Sequence, residues 1–133
     1  MSEIPGNNTG LSGEYFVAAE LYRTGWSVWM TIGNAKAVDL FAQKGEKIIS
    51  IQVKSIFKMK NVGWPLMEDT IKDVDYYIFV NLNGDTMSNP EFFVCTPEET
   101  KDKVKQYKTR GIVRLGLLNS PEYKDNWKKL LFS

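Results

Sequence analysis

Two stretches of alternating apolar and polar residues, joined by a glycine turn, constrain the fold of this chain more than any other feature. They cover residues 38–42 and 48–55, and Lys44-Gly45-Glu46 lies between them. Side chains of a strand point alternately to the two faces of a sheet, and a short glycine-containing turn joins antiparallel strands. The sequence therefore predicts a β-hairpin with two chemically different faces.

The second strand of this predicted hairpin carries polar groups that a buried strand does not normally contain. Its apolar face has Ile49, Ile51 and Val53, and its other face has Ser50, Gln52 and Lys54. In the first strand, Asp39 points to the face opposite Leu40. Burial of an amide or an ammonium group costs free energy unless the group is paired. We therefore expect Asp39 to approach Gln52 and Lys54.

An aspartate, a second oxygen ligand and a lysine at one edge of a sheet suit the hydrolysis of phosphodiesters. Such oxygen atoms can hold Mg²⁺ and orient a water for attack on phosphorus. Negative charge accumulates during cleavage, so Lys54 would stabilise that charge or activate the water. Both residues also have a structural interpretation, Asp39 as a hydrogen-bond acceptor at a strand end and Lys54 as a solvated strand lysine.

The residues from about 11 to 55 resemble the PD-(D/E)XK nuclease superfamily. Asp39 precedes Lys54 by 15 positions (54 minus 39), and Gln52-Val53-Lys54 stands in place of the (D/E)XK motif. Residues 13–28 look like the family's first helix, whose glutamate faces the site, and its first core strand. Val38 replaces the proline of the family name, and Gln52 replaces an acidic residue. Gln-x-Lys is similar to the motif of Mrr-type restriction enzymes and of some intron-encoded homing endonucleases, and both groups have active members.

This resemblance implies a restriction endonuclease-like fold, a single α/β domain in which helices flank a mixed β-sheet. It also implies a metal-dependent endonuclease that hydrolyses DNA, with Mg²⁺ or Mn²⁺ as its cofactor. The catalytic residues carried over are Glu14, Asp39, Gln52 and Lys54, and the metal ligands are Asp39, Gln52 and the Val53 carbonyl. Glu14 would act through water, and its structural alternative is a residue of the first helical turn favoured by the helix dipole.

Three functional interpretations remain open at this point. Within the first, an active nuclease, restriction-like cleavage and resolution of branched DNA both fit, because the matched residues do not report the shape of the DNA. The neutral Gln52 removes one negative charge from the predicted metal site. It favours the second interpretation, a catalytically weakened module that binds DNA or a protein partner in a mobile-element or defence system. The third is an unrelated α/β protein.

Five residues near the predicted site are candidates for contact with DNA. They are Asn34, Lys36, Lys58, Lys60 and Trp64. The first two belong to a polar turn before Asp39, and the others follow Lys54. Basic side chains beside aromatic ones suit nucleic acid. The alternatives are a simple connecting turn, solvated lysines and a tryptophan that covers the core.

The residue types that are rare or absent exclude several classes of site. The chain has no histidine, which excludes Ser-His hydrolases and histidine-ligated metal sites formed by this chain alone. Cys95 is the only cysteine, which excludes an intramolecular disulfide and a cysteine-cluster metal site. The 17 basic and 16 acidic residues nearly balance, so binding of DNA would require local basic patches.

The length of the chain and its apolar segments predict its organisation and its surroundings. A chain of 133 residues with 43% apolar content fits one domain, expected at 11–133 after a mobile lead-in at 1–10. No apolar run approaches the ~20 residues that span a bilayer, and the first residues lack a signal-peptide core. We therefore expect a cytoplasmic protein that binds DNA, without a membrane partner or a nucleotide cofactor.

The remaining patterns predict the other helices and strands of a sheet of about five strands. Helices are expected at 12–23, 97–110 and from residue 120, and strands at 26–31, 76–82, 91–95 and, as a short edge strand, 112–117. In the first helix the spacing of Glu14, Ala18 and Leu21 directs Glu14 inward. The last helix has an apolar stripe that either packs on the core or joins two subunits as a homodimer. Its residues are Tyr123, Trp127, Leu130 and Leu131.

Overall fold

Helix α1 (Gly6–Arg23) is the longest helix in the computed structural model, which describes residues 5–32, 37–84 and 87–132. It begins six positions before the predicted start at residue 12 (12 minus 6), so residues 6–10 are helical and not part of a lead-in. The reason is that its buried stripe extends back to Thr9. Gly25, with φ +97°, reverses the chain after the helix. Within the described residues, no helix has the length and apolar character needed to cross a membrane.

Eight strands in the described part of the chain form two sheets. Their bounds are β1 Ser27–Met30, β2 Leu40–Lys44, β3 Lys47–Ile56, β4 Gly63–Pro65, β5 Tyr76–Asn81, β6 Glu91–Cys95, β7 Val104–Gln106 and β8 Gly111–Arg114. The larger sheet has the order β1-β2-β3-β5-β6, with β3 and β5 parallel and its other neighbours antiparallel. The fold is a single α/β domain with a mixed five-stranded sheet flanked by helices, as the sequence predicts.

One face of the larger sheet packs against α1. Val17 and Leu21 of the helix are fully buried and belong to one core cluster with Ile49, Ile51 and Val53 of β3. Full burial of one such side chain stabilises the fold by about 1.5–3 kcal/mol. The predicted apolar face of the hairpin is therefore confirmed, and its turn at Gly45 has the expected positive φ of +63°.

The opposite face is covered by a small sheet that the sequence pattern does not predict. Its order is β4-β8-β7, and all its pairs are antiparallel. Trp64 of β4 is 1% exposed, and its ring centroid lies 5.2 Å from that of Phe79 and 5.6 Å from that of Phe93. Its indole N–H donates to Val80 O at 3.0 Å. The expectation that Trp64 contacts DNA is therefore wrong for this structure, because the ring is enclosed in the core.

The helix predicted at 97–110 is also corrected. Helix α2 (Pro97–Lys103) begins with the predicted capping box, in which Thr96 and Glu99 each accept the backbone N–H of the other. The helix ends before Val104, which pairs with Val113 of β8. Val104 packs against the core cluster that contains Trp64 and Phe79. The strand predicted at 112–117 ends at Arg114, is central in the small sheet, and leads into the single turn α3 (Leu115–Leu118).

The final helix predicted from residue 120 is replaced by turns and a 3₁₀ helix at Trp127–Leu131. Val94 N–H donates to Tyr123 O at 2.9 Å, and Asp125 N–H donates to Phe92 O at 2.9 Å. These bonds hold the segment against β6 and are incompatible with a continuous α-helix. Tyr123 and Leu130 are buried and Trp127 packs against the core, so only Leu131 of the predicted stripe is exposed. The homodimer stays a prediction.

Gly13 permits a close approach of α1 to β3, which leads to a prediction about stability. A Cβ at Gly13 would overlap Ser55 Oγ and lie 2.8 Å from Ser55 Cβ. We expect Gly13→Ala to lower the free energy of unfolding by about 1–3 kcal/mol, because overpacking outweighs the better helix propensity of alanine. Urea denaturation measures this difference.

Gly10→Ala is the matched control for this prediction. A Cβ at Gly10 meets no described atom within 4 Å. The substitution should raise the free energy of unfolding by about 0.5–1 kcal/mol, because alanine loses less conformational entropy than glycine in a helix. Equal stability of the two variants would contradict the close approach at Gly13.

Candidate functional site

The site forms where β2 and β3 separate. The two strands pair from Lys44–Lys47 to Leu40–Ile51. One residue further, Asp39 N–H donates to Ile51 O at 2.9 Å, and Asp39 Oδ2 accepts the N–H of Val53 at 2.7 Å. A side-chain carboxylate therefore occupies the place in which a strand carbonyl would continue the ladder. The neighbouring carbonyl of Val38 accepts the hydroxyl of Thr31 instead, at 2.6 Å.

A cavity of about 700 Å³ opens at this point of separation. It is lined by all the residues that the sequence assigned to catalysis and metal binding, Glu14, Asp39, Gln52, Val53 and Lys54. Asp39 is 4% exposed, Gln52 7% and Glu14 8%. The cavity therefore brings together side chains from α1, from the start of β2 and from the middle of β3.

Glu14 reaches the cavity because α1 lies so close to β3. Gly13, the residue before it, faces Ser55 across a gap that admits no Cβ. Glu14 consequently belongs to the buried stripe of the helix, an uncommon position for a carboxylate. The predicted inward orientation of Glu14 is confirmed.

Gln52 has the feature that most suggests a ligand-binding role. Its Oε1 atom is buried and has no hydrogen-bond partner among the described residues. A buried polar atom without a partner costs about 1–3 kcal/mol, so folded proteins usually satisfy such atoms. An amide oxygen in this position is suited to a cation or to a hydrogen-bond donor of a substrate.

The Lys54 ammonium group is half-buried beside Asp39. Burial lowers the pKa of Lys54 below its ordinary value, the charge of Asp39 raises it, and the charge of Lys72 lowers it. The first effect is the largest. Lys54 therefore has the lowered proton affinity that is expected of a lysine acting near a reacting water.

The donor atoms in the cavity fit a hard divalent cation. No group of three or more His, Cys, Asp and Glu side chains able to hold a metal occurs in residues 5–32, 37–84 and 87–132. Mg²⁺ does not require such a group, because it is commonly held by one or two carboxylates together with waters and substrate phosphates. Asp39, the unpaired oxygen of Gln52 and the Val53 carbonyl fit this mode of binding.

Of the predicted DNA-contacting residues that the structure describes, Lys58, Lys60 and Trp64 do not line this cavity. Lys58 and Lys60 are exposed after the end of β3, where the Asn81 side chain bonds both the N–H and the carbonyl of Lys58. Asn34 and Lys36 lie outside the described residues. The two exposed lysines therefore remain predictions for a surface beyond the cavity.

Sequence patterns missed two residues at this site, Lys72 and Tyr77. Lys72 lines the cavity, and its backbone N–H donates to the Tyr77 hydroxyl at 2.6 Å. Tyr77 is the parallel partner of Gln52, and burial raises the pKa of its phenol. No local signal identifies either residue, because both reach the site through the pairing of β3 with β5.

Comparison with known proteins identifies a similar fold. No protein-family model and no curated protein sequence matches the chain. A solved structure of a bacterial homing endonuclease, I-Ssp6803I, superposes with a TM-score of 0.68 and 15% sequence identity. The alignment covers 96% of this chain and 94% of that one. The chain therefore shares the fold of that protein over almost its whole length.

The unpaired oxygen of Gln52 leads to a prediction about divalent cations. At a Mg²⁺ or Mn²⁺ concentration ten times the dissociation constant, the wild-type protein should gain about 1.4 kcal/mol of stability. Gln52→Met and Asp39→Asn should lose most of this gain, because each removes a ligand oxygen or its charge. Thermal denaturation with and without the cation measures the effect.

Gln52→Met also separates the site from the fold. Without a cation this variant should be as stable as the wild type or more stable by about 1 kcal/mol, because it removes a buried oxygen that has no partner among the described residues. A large loss of stability without the cation would mean that the oxygen has a structural role. In that case the assignment of Gln52 as a metal ligand would lose its main support.

Proposed function

We propose that this chain is a metal-dependent endonuclease of the PD-(D/E)XK type that hydrolyses phosphodiester bonds of DNA. The observation that carries the proposal is the meeting of Glu14, Asp39, Gln52 and Lys54 in one cavity where β2 and β3 separate. These residues come from three elements, and chance resemblance of a short motif does not require them to meet. The fold similarity to a protein that is named an endonuclease supports the same function.

In this proposal the chain's own residues hold the cation and the substrate water. Asp39 Oδ1, Gln52 Oε1 and the Val53 carbonyl are the ligands, and the bond from Val53 N–H to Asp39 Oδ2 keeps the carboxylate in place. When bound, Mg²⁺ supplies positive charge that polarises the phosphoryl group and lowers the pKa of water. Glu14 accepts a hydrogen bond from water near the ligands and orients that water.

Lys54 assists the attacking water. In hydrolysis the water oxygen forms a bond to phosphorus and one P–O ester bond breaks. The attacking water loses a proton, and the oxygen of the leaving group takes up a proton. The lowered pKa of Lys54, caused mainly by burial, brings its amine closer to the range in which a proton can be exchanged. Its ammonium form stabilises the negative charge on the phosphoryl oxygens.

A second function is favoured by one observation. Gln52 is neutral where the PD-(D/E)XK pattern has an acid, and the cavity lining among the described residues contains only two carboxylates, Glu14 and Asp39. Fewer negative charges weaken the affinity for a cation. The alternative is a nuclease fold without cleavage that binds DNA or a protein partner.

The proposed function predicts cleavage of DNA in Mg²⁺ or Mn²⁺. Labelled linear, supercoiled and four-way-junction DNA are incubated with the wild type, Asp39→Ala and Lys54→Ala. Each substitution should lower the cleavage rate by at least about 100-fold, because it removes a ligand or a charge that acts in the transition state. Lys101→Ala, at an exposed position of α2, is the matched control and should cleave like the wild type.

The pattern of cleavage also separates the two candidate functions. The DNA that is cut fastest identifies restriction-like cleavage or resolution of branched DNA. Equal binding of all variants to DNA, without cleavage of any substrate in either cation, would refute the nuclease and support the binding module. Cleavage that survives in Asp39→Ala would indicate a contaminating enzyme or a different site.

A further inference from the structure

Lys72 is a charged residue of the cavity to which the proposed reaction gives no role. The charged side chains among the described lining residues are Glu14, Asp39, Lys54 and Lys72. Lys72 is exposed and follows the 3₁₀ helix Glu68–Thr70. It lies near enough to Lys54 for its charge to act on that ammonium group. The two ammonium groups repel each other, whereas an anion in the cavity is attracted by both.

A hydrogen bond to the Tyr77 hydroxyl holds the backbone of the segment that carries Lys72. The Tyr77 hydroxyl accepts the N–H of Lys72 at 2.6 Å, and the Tyr77 ring is fully buried and stacks on Phe79 at 5.9 Å. Tyr77 is also the strand partner of Gln52. The backbone of Lys72 is therefore bonded to the strand that pairs with β3, and Lys72, which is exposed, lines the cavity.

The N-terminal turns of α1 form another wall of the same cavity. Gly6, Asn7 and Gly10 line it, and the first turn of the helix has no acidic residue. No side chain caps this terminus within the part of the chain that the structure describes. A helix N-terminus has N–H groups without helical partners and a positive partial charge, and both favour a phosphate group.

The two glycines of this wall, Gly6 and Gly10, leave open space beside the helix. A Cβ at Gly6 or at Gly10 would meet no described atom within 4 Å. Packing against the described residues therefore does not require glycine at these two positions, in contrast to Gly13 on the same helix. The lack of side chains lets the backbone of another molecule approach the helix closely.

Two further observations indicate that this cavity binds ligands: an acceptor atom that suits a cation, and the charge balance that such a cation would change. Gln52 Oε1 is more than nine-tenths buried, lines the cavity, and has no partner among the residues described. The formal charges of the two lysines and two carboxylates among the described lining residues cancel, so one divalent cation would leave an excess of two positive charges. Such an excess attracts a polyanion.

We propose that Lys72 and the N-terminal turns of α1 bind a backbone phosphate of the DNA adjacent to the bond that is cleaved. The proposal rests on the proposed function and extends it to a phosphate-binding wall outside the motif residues. Tyr77 is a positioning residue for Lys72. The contact supplies affinity and alignment of the strand, and it is independent of base sequence.

The salt dependence of DNA binding tests the role of Lys72. Binding of a fluorescent duplex is measured in Ca²⁺ at several salt concentrations. The duplex is taken from the DNA that is cut fastest or, if no DNA is cut, from the DNA that is bound most tightly. Loss of one phosphate contact reduces the slope of log affinity against log salt by about 0.9. Lys72→Ala should show this reduction and bind more weakly, Lys72→Arg should keep the wild-type slope, and Lys101→Ala is the control for removal of a remote exposed charge.

Tyr77→Phe tests whether the phenol positions Lys72. The variant loses the hydroxyl that accepts the Lys72 N–H and should bind the duplex more weakly than the wild type. In the Lys72→Ala background the same substitution should have no further effect on binding, because its target side chain is already missing. Additive losses of affinity would refute the positioning role.

Gly10→Ala tests the helix wall, because we expect it to raise the stability of the protein and to lower its affinity for DNA. The variant should unfold at higher urea than the wild type, yet bind the duplex several-fold more weakly, because its methyl group enters the space that the phosphate needs. A loss of folding would move both quantities in the same direction. Unchanged binding would remove α1 from the proposed contact.

The outcomes distinguish this inference from the proposed function. If the wild type cleaves DNA while Lys72→Ala keeps its affinity and slope, the phosphate contact is refuted and the nuclease stands. If the wild type binds without cleavage and Lys72→Ala reduces the slope, the contact stands and the nuclease is refuted. Absence of DNA binding by the wild type refutes both.

Discussion

The bond from Val53 N–H to the Asp39 carboxylate is the interaction on which the candidate site depends. It ends the ladder between β2 and β3 and satisfies a backbone donor that would otherwise be unpaired. Hydrogen bonds to charged groups contribute about 1.5–3 kcal/mol. The same contact keeps the strands apart, holds a carboxylate in the gap and places the Val53 backbone beside it. One hydrogen bond therefore both ends the strand pairing and positions two of the candidate metal ligands.

The second requirement is the close packing of α1 on β3 at Gly13. Because no Cβ fits between the helix and Ser55, the next residue, Glu14, is brought to the cavity, and the first turns of the helix become a wall of it. Gln52 Oε1 is left buried without a partner among the described residues, at a cost in stability. Departures from full polar satisfaction tend to occur where a ligand binds. The site thus combines tight packing with an unsatisfied group.

The predictions that were wrong concern mainly the face of the larger sheet that is covered by the small sheet. Trp64, between Gly63 and Pro65, has the neighbours of a loop residue, but β4 pairs with β8 and encloses the ring against Phe79 and Phe93. Likewise the capping box at Thr96 starts a helix, yet it does not determine where the helix ends. Val104 ends it by pairing with Val113. In each case contacts between distant segments outweighed a local preference.

The sequence by itself determined the hairpin, its two faces, the inward side of α1 and the grouping of Asp39, Gln52 and Lys54, because a period of two or 3.6 residues and a short turn are local properties. The start of α1, the small sheet and the environment of Trp64 were decided only by tertiary structure. So was the arrival of Lys72 and Tyr77 beside Gln52, which requires the parallel pairing of β3 with β5. Parallel strands need a crossover connection, and no local period specifies which strands it joins.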